Sequence, residues 1–215
     1  MQIFPRSLNK LPVLVGLGSV VALPAVVFAM WYWFSPYYTQ VGYEPIQPVP
    51  YSHRLHAGQL GIDCRYCHAN VERSAVAMVP PTETCMNCHS VIKKGSAELK
   101  PIQESWDTGK AMEWVRVHRL PDYVYFDHSV HVSGGVGCIE CHGRVDQEER
   151  VRLQKPLSMG WCLECHRDVR ANQGESEHIR PVSQITNMDW KRSEGEKVTP
   201  PRTLNPPENC SGCHR

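Results

Sequence analysis

"YSHRLHAGQLGIDCRYCH", residues 51–68, decides how the rest of the chain is interpreted. Its last five residues form a C-x-x-C-H motif, which is typical of a c-type haem attachment site. Two thiols three positions apart reach the two vinyl groups of one porphyrin, and the next histidine provides one axial ligand to the iron. The same stretch contains two more histidines, His53 and His56, that this motif does not use.

All ten cysteines of the chain belong to five copies of this motif. The copies comprise Cys64, Cys67 and His68; Cys85, Cys88 and His89; Cys138, Cys141 and His142; Cys162, Cys165 and His166; and Cys210, Cys213 and His214. Zinc-binding pairs, a redox dithiol and a disulfide framework are alternatives for C-x-x-C pairs. None of them requires a histidine after every second cysteine, and an odd number of pairs would leave one zinc pair without a partner. The cysteines therefore predict five covalently bound haem c groups.

The chain after residue 40 predicts a fold whose interior is filled largely by haem. It has many prolines and no sustained helical or alternating pattern of apolar residues. Porphyrins would supply the buried apolar surface that the side chains do not. We expect a multihaem cytochrome c fold of short α-helices and irregular loops packed around five haems, with little or no β-structure. The net charge of +1 gives no reason to expect nucleic-acid binding.

Residues 11–34 contain no charged side chain and form a run long enough for a helix to cross a bilayer. Arg6 and Lys10 precede the run and aromatic residues end it. We therefore expect one transmembrane helix in a bacterial cytoplasmic membrane, with the N-terminus in the cytoplasm and the haem-bearing part on the periplasmic side. A cleaved signal peptide is the alternative, but the run exceeds the core of about 7 to 15 residues typical of such signals.

An internal repeat is the most informative feature after the motifs. Residues 51–71 align with residues 126–145 after a gap of one residue. Each copy has an aromatic residue, then H-x-x-H, then a glycine three positions before the first cysteine of a motif. Each copy is also followed by a second motif, so we expect two duplicated dihaem units and an appended fifth haem.

The expected organisation has five parts. They are the cytoplasmic N-terminus and anchor (residues 1–34), a proline-rich extended tether (residues 35–52), dihaem unit A (residues 53–112), dihaem unit B (residues 113–170) and a C-terminal segment with the fifth haem (residues 171–215).

The remaining histidines can supply second axial ligands. Five of the eleven histidines belong to motifs, which leaves six: His53, His56, His118, His128, His131 and His178. Two histidines three positions apart share one face of a helical turn, so they cannot bind one iron from opposite sides but can each meet a different iron. We expect both H-x-x-H pairs to be ligands. The remaining histidines are numerous enough to give every iron a second axial ligand, which also argues against a catalytic haem with an open axial position.

Four residues are candidates for the fifth distal ligand. His118 lies among apolar and aromatic residues and is the leading candidate, while Met159 stands three positions before Cys162 and could bind through its thioether. His178 and Met188 are weaker candidates. The identity of this ligand matters because methionine in place of histidine raises the reduction potential of a haem.

The pattern H-x-x-H ahead of C-x-x-C-H resembles the cytochrome c3 and c7 group. In that group the first histidine closes the haem that follows, and the second reaches a neighbouring haem. The resemblance implies that His53 closes the haem of Cys64 and Cys67, and that His56 reaches a second haem.

The whole chain resembles the membrane-anchored pentahaem cytochrome c subunit of alternative complex III. The anchor, the tether, the five motifs and the stretches "YSHRLHAG", "CMNCH", "WVRVHRLPDYVYFDHSVH" and "SMGWCLECHR" carry this resemblance, which is weakest over residues 171–201. It implies a quinol-oxidising complex with an iron–sulfur subunit related to molybdopterin oxidoreductases and multi-span quinol-binding membrane subunits. Electrons would leave to a cytochrome c or a blue copper protein.

The chain itself shows no catalytic constellation. We find no Ser/His/Asp arrangement, phosphate loop or paired carboxylates in the sequence, so we expect an electron-transfer subunit. The alternatives are a stand-alone membrane multihaem quinol dehydrogenase and a multihaem reductase.

Overall fold

The computed structural model describes residues 5–200 and 203–214. The chain forms two compact units, Met1–Val41 and Gly42–Arg215. Residues 1–4 of the expected cytoplasmic segment, and residues 201–202 and 215 of the expected C-terminal segment, lie outside the described residues. Both expected dihaem units fall within the second compact unit.

The first unit is built on one long apolar helix. A 3-10 turn, Arg6–Lys10, leads into helix α1, Leu11–Trp33. The span Ser7–Trp33 is long and apolar enough to cross a membrane, and none of the side chains of α1 is buried. Pro24 lies inside α1 without ending it. This helix is compatible with a membrane anchor.

The expected extended tether is only partly extended. Helix α2 covers Pro36–Thr39. Proline is tolerated at the first position of a helix, because the backbone N–H that it lacks would have no hydrogen-bond partner there. Further on, the side chain of Gln47 exchanges two hydrogen bonds of 2.9 Å with the backbone of Val115. Val49 is 3% exposed and belongs to a hydrophobic cluster. The end of the tether is therefore packed into the second unit.

The second unit consists of short helices joined by irregular loops. Its helices are a π-helix at Arg54–Gln59, α3 (Cys64–Cys67), α4 (Thr82–His89), α5 (Lys100–Thr108), α6 (His128–Ser133), α7 (Cys138–His142), α8 (Met159–Asn172) and α9 (Cys210–Cys213). Shorter 3-10 turns cover Ala97–Leu99, Val145–Gln147, Gln173–Glu175 and Val182–Gln184. Within residues 5–200 and 203–214 there is no β-strand, only two isolated bridges. The expectation of short helices and loops with little or no β-structure is confirmed.

Among the residues that the structure describes, the hydrophobic core is divided into three small clusters. Their buried members are Val49, Met86 and Ile102; Val71, Val132 and Ile185; and Val169, Ile179 and Val198. The second cluster takes one residue from each expected dihaem unit and one from the C-terminal segment, so these parts share a core. Clusters this small bury little apolar surface. This agrees with the expectation that prosthetic groups supply the rest of the buried apolar surface.

The two copies of the repeat fold alike around their histidines. Tyr51 stacks on His56 and Phe126 stacks on His131, each with ring centroids 4.5 Å apart. The same two aromatic rings meet the first histidine of each pair edge-on at 4.8 Å. The aromatic residue therefore holds both imidazoles of its pair.

The two copies differ in length by one residue, and a π-helix accommodates the difference. The first copy has one residue more than the second between its second histidine and its first cysteine. The first copy is π-helical there, at Arg54–Gln59, whereas the corresponding α6 is α-helical. A π-helical turn holds more residues than an α-helical turn, so the extra residue is accommodated before the cysteine.

A glycine that the copies share gives a test of the fold. Gly61 and Gly135 both have positive φ, at 66° and 90°. A Cβ at Gly135 would lie 2.6 Å from the Arg180 carbonyl oxygen, whereas none of the surrounding atoms lies within 4 Å of one at Gly61. We expect Gly61→Ala to lower the free energy of unfolding by about 1 kcal/mol from backbone strain alone. Gly135→Ala should cost roughly 3 kcal/mol, because strain and a steric clash combine.

Thermal unfolding of the purified protein in detergent, followed by circular dichroism, compares the two variants. Equal losses would contradict the close approach of residue 180 to residue 135.

Candidate haem sites

Each C-x-x-C-H motif begins on a helical turn, and side-chain caps set where two of these helices start. Asp63 caps α3 by accepting from the Arg65 backbone N–H, and Ser158 caps α8 by accepting from that of Trp161. Asp127 caps α6, which carries the second H-x-x-H pair, in the same way. None of the ten cysteines forms a disulfide. The described residues also contain no group of three or more His, Cys, Asp or Glu side chains that could hold a metal ion on its own.

The motif histidines are oriented by hydrogen bonds at Nδ1. In four of the five motifs Nδ1 faces a backbone carbonyl: His68 to Met78 at 2.7 Å, His89 to Ile92 at 3.1 Å, His166 to Pro207 at 2.6 Å and His214 to Tyr123 at 3.2 Å. A carbonyl only accepts, so Nδ1 carries the proton and Nε2 keeps its lone pair. Nε2 is then available to an iron, as is usual for metal-bound histidine.

Three of the four H-x-x-H histidines follow the same rule. Nδ1 of His56 faces the Ser52 carbonyl at 2.8 Å, and Nδ1 of His131 faces the Asp127 carbonyl at 2.7 Å. His128 reaches the other copy of the repeat, with Nδ1 2.8 Å from the Ala75 carbonyl. Nδ1 of His53 is buried and has no hydrogen-bond partner among the described residues.

The second histidine of each pair lies opposite a motif histidine. The ring centroids of His56 and His89 are 6.2 Å apart, and those of His131 and His166 are also 6.2 Å apart. With a metal–nitrogen bond of about 2 Å on each side and about 1 Å from nitrogen to ring centre, two imidazoles that share a metal have centroids about 6 Å apart. Both pairs therefore fit one haem iron between them.

The first histidines of the pairs lie near the first and third motifs. Burial, with smaller effects from His68 and His56, lowers the pKa of His53 to about 4. Burial also lowers the pKa of His142 to about 3, with contributions from His118, His128, His68 and His53. The neutral imidazole is the form that binds a metal, so these rings are in the required state at neutral pH.

The candidates for the fifth distal ligand lie in different surroundings. Nε2 of His118 is 3.3 Å from Nδ1 of His142, and the two ring centroids are 4.4 Å apart. Met159 is the first residue of α8 and is 67% exposed, whereas Met188 is buried.

His178 belongs to a cluster of charged groups. Its Nδ1 is 3.1 Å from Oε2 of Glu140, whose other oxygen accepts from Arg180 at 2.9 Å. The hydrogen bond to Glu140 raises the pKa of His178. Burial alone would raise the pKa of Glu140, but His178 and Arg180 outweigh it and lower that pKa. This carboxylate cluster could not be predicted from the sequence, because it joins residues 40 positions apart.

The first two motifs adjoin each other, and so do the first and third. Tyr66 of the first motif accepts a hydrogen bond of 3.1 Å from Asn87 of the second. The side chains of Cys64 and Cys138, in the first and third motifs, lie close together. The first motif is therefore flanked by the second and the third.

The fourth motif connects the third to the fifth. Cys141 of the third motif lies near Cys165 and Cys162 of the fourth, and Cys162 lies near Cys213 of the fifth. Glu208, two residues before the fifth motif, pairs with Arg167 and Arg170 of α8. The motifs thus lie in the spatial order second, first, third, fourth, fifth.

Several groups that orient the site had no signal in the sequence. They are the backbone carbonyls of Ser52, Ala75, Met78, Ile92, Tyr123, Asp127 and Pro207. Every residue has a carbonyl, so only the folded backbone reveals which ones face an imidazole.

Two comparisons with known proteins agree with this description. Residues 124–215 match the family described as cytochrome c7 and related cytochrome c. Over 153 residues the chain is 32% identical to the multihaem cytochrome c subunit of a menaquinone reductase from Nitratidesulfovibrio vulgaris, strain Hildenborough. That alignment covers 71% of this chain and 63% of the relative, so the chain spans less than two thirds of the relative's length.

The placement of His131 opposite His166 gives a spectroscopic prediction. We expect His131→Ala to retain all covalently attached haem while one haem becomes high-spin or exchanges its ligand, because the iron opposite His166 loses one imidazole. Electron paramagnetic resonance of the oxidised protein measures the change. His178→Ala is the matched control and should leave the spin state unaltered. An unchanged low-spin spectrum in the His131 variant would show that this histidine is not a ligand.

Proposed function

We propose a specific role for this chain, a multihaem cytochrome c with covalently bound haem whose residues 124–215 match the cytochrome c7 family: it is the membrane-anchored pentahaem electron-transfer subunit of a quinol-oxidising alternative complex III. In this role it receives electrons from iron–sulfur and multi-span quinol-binding subunits. It passes them to a cytochrome c or a blue copper protein on the periplasmic side.

The observation that carries the proposal is the continuous spatial order of the five motifs. Haem iron supplies reversible one-electron transfer when it is bound. The chain brings each motif next to at least one other, from the second through the first, third and fourth to the fifth. The second and fifth motifs are therefore the ends of the series, where electrons would be received and released. A carrier needs such ends, whereas an enzyme needs a site for a substrate.

We assign the ligands of four haems from the pairing of histidines. His56 serves the haem of His89, and His131 serves the haem of His166, because each pair leaves room for one iron. By the repeat, His53 serves the haem of His68, and His128 serves the haem of His142. In each of these four sites two imidazoles would occupy both axial positions of the iron and leave no position for a substrate.

We assign Met159 to the fifth haem, that of His214. Met159 and Cys162 lie three positions apart and so share a face of α8, and Cys162 adjoins Cys213. His118 is engaged with His142, and His178 is engaged with Glu140. A thioether ligand would give the fifth haem the highest potential of the series, which suits the end that releases electrons.

A second candidate function has a specific observation in its favour. The relative that is 32% identical is named as a subunit of a menaquinone reductase. The same series of haems would then carry electrons from a periplasmic donor to menaquinone, in the opposite direction. The two functions differ in the order of potentials along the series and in the partner at each end.

Purification from native membranes in mild detergent tests the proposal. We expect the chain to co-purify with iron–sulfur and multi-span subunits, and its haems to be reduced by added quinol and reoxidised by a cytochrome c or a blue copper protein. Reduction of menaquinone by a reduced periplasmic donor would favour the second candidate. Quinol oxidation by the isolated chain would contradict the subunit role. A high-spin signal in the native protein would instead support a multihaem reductase.

The assignment of Met159 makes its own prediction. Met159→Leu should keep the haem attached but abolish the far-red absorption band of methionine-ligated ferric haem, because leucine cannot bind iron. Met188→Leu is the control and should leave the band in place. Loss of the band in the control alone would move the assignment to Met188, and no such band in the native protein would exclude both methionines.

A further inference from the structure

The two copies of the repeat differ in the hydrogen bond at Nδ1 of the motif histidine. In the first copy, Nδ1 of the motif histidine His68 faces the Met78 carbonyl at 2.7 Å. In the second copy, Nδ1 of His142 faces a side chain, with Nε2 of His118 at 3.3 Å. The other three motif histidines also face carbonyls. His142 is the one motif histidine within the described part of the chain whose Nδ1 partner is an imidazole.

The geometry does not allow His118 to share an iron with His142. Their ring centroids are 4.4 Å apart, against 6.2 Å in the two pairs that leave room for a metal. The atom of His142 that faces His118 is Nδ1, whereas in a haem site of this kind the iron is bound by Nε2. His118 therefore stands behind the motif histidine, on the side away from the iron.

The protons of the pair can be assigned by exclusion. A ligand that binds iron through Nε2 carries its hydrogen on Nδ1, so His142 is the donor and Nε2 of His118 is the acceptor. His118 accepts in its neutral form, in which Nε2 has a free lone pair.

We propose that His118 is a positioning residue of the third haem site, where it accepts a hydrogen bond from Nδ1 of His142 and thereby lowers the reduction potential of the haem that His142 binds. This inference deepens the proposed function, because it names a residue that sets one step of the series. It depends on haem at the third motif and not on the identity of the complex.

The direction of the effect follows from the basicity of the acceptor. An imidazole nitrogen is a stronger hydrogen-bond acceptor than an amide carbonyl, so it draws the Nδ1 proton further from His142. The ring of His142 then donates more electron density to the iron through Nε2. Greater donation stabilises the oxidised iron, so the potential is lower than it would be with a carbonyl partner. His68, with its carbonyl, is the internal comparison.

The test is a redox titration of the full chain in detergent, combined with electron paramagnetic resonance. In His118→Phe we expect all five haems to stay attached and low-spin, while the potential of one haem rises. A roughly tenfold shift in its reduction equilibrium is expected, by analogy with other outer-sphere partners of metal-bound histidine, which corresponds to about 59 mV for one electron. His118→Gln, which offers an amide oxygen in place of the nitrogen, should give a smaller rise.

Two controls separate this role from others. Val117→Ala changes the neighbouring residue and should leave every potential unaltered. If His118→Phe impairs folding, His118→Gln still tests the proposal. It exchanges only the acceptor of the hydrogen bond from His142, so the reduction potential of one haem should still rise. Appearance of a high-spin haem in either variant would show that His118 is an iron ligand and overturn the proposal. Unchanged potentials in a folded His118→Gln and His118→Phe would also overturn it.

Discussion

The hydrogen bond that most of the imidazoles make at Nδ1 is the interaction on which the rest of the structure depends. A free imidazole can rotate and can carry its proton on either nitrogen. Seven of the histidines assigned to haem sites place Nδ1 against a backbone carbonyl. Both the tautomer and the ring plane are then fixed by the chain. The loops that connect the helices consequently have a structural task, since several of these carbonyls belong to residues far from the histidine in sequence.

Much of the candidate site could be predicted from the sequence because its determinants are local. The five motifs, the repeat and the apolar helix each occupy a short continuous stretch, and spacing alone predicts that the two histidines of an H-x-x-H pair do not bind one iron from opposite sides. The partner of His56 could not be predicted in this way, because it depends on how α4 returns to the π-helix. The contact between His118 and His142 joins residues 24 positions apart. Such contacts are properties of the packed loops.

The tether shows a second limit of local patterns. Its prolines correctly predict that no long helix forms there, but they do not predict which residues of the tether are buried. Val49 enters a cluster with Met86 and Ile102, and Gln47 completes the backbone hydrogen bonds of Val115. The fold has few buried apolar side chains of its own. A proline-rich stretch that lies beside it therefore becomes part of the core, because few other side chains are available to cover the buried residues.

The spatial order of the motifs has a consequence for how the protein is made. Synthesis supplies the motifs from the N-terminus onward, so the first motif exists before either the third motif or His128, whose Nδ1 faces the Ala75 carbonyl between the first two motifs. The first motif nevertheless lies in the interior of the finished series. The early part of the chain must therefore remain open until the later part arrives. A haem at the first motif would have to be attached before the later part of the chain encloses that motif, so the topology would set the order of assembly.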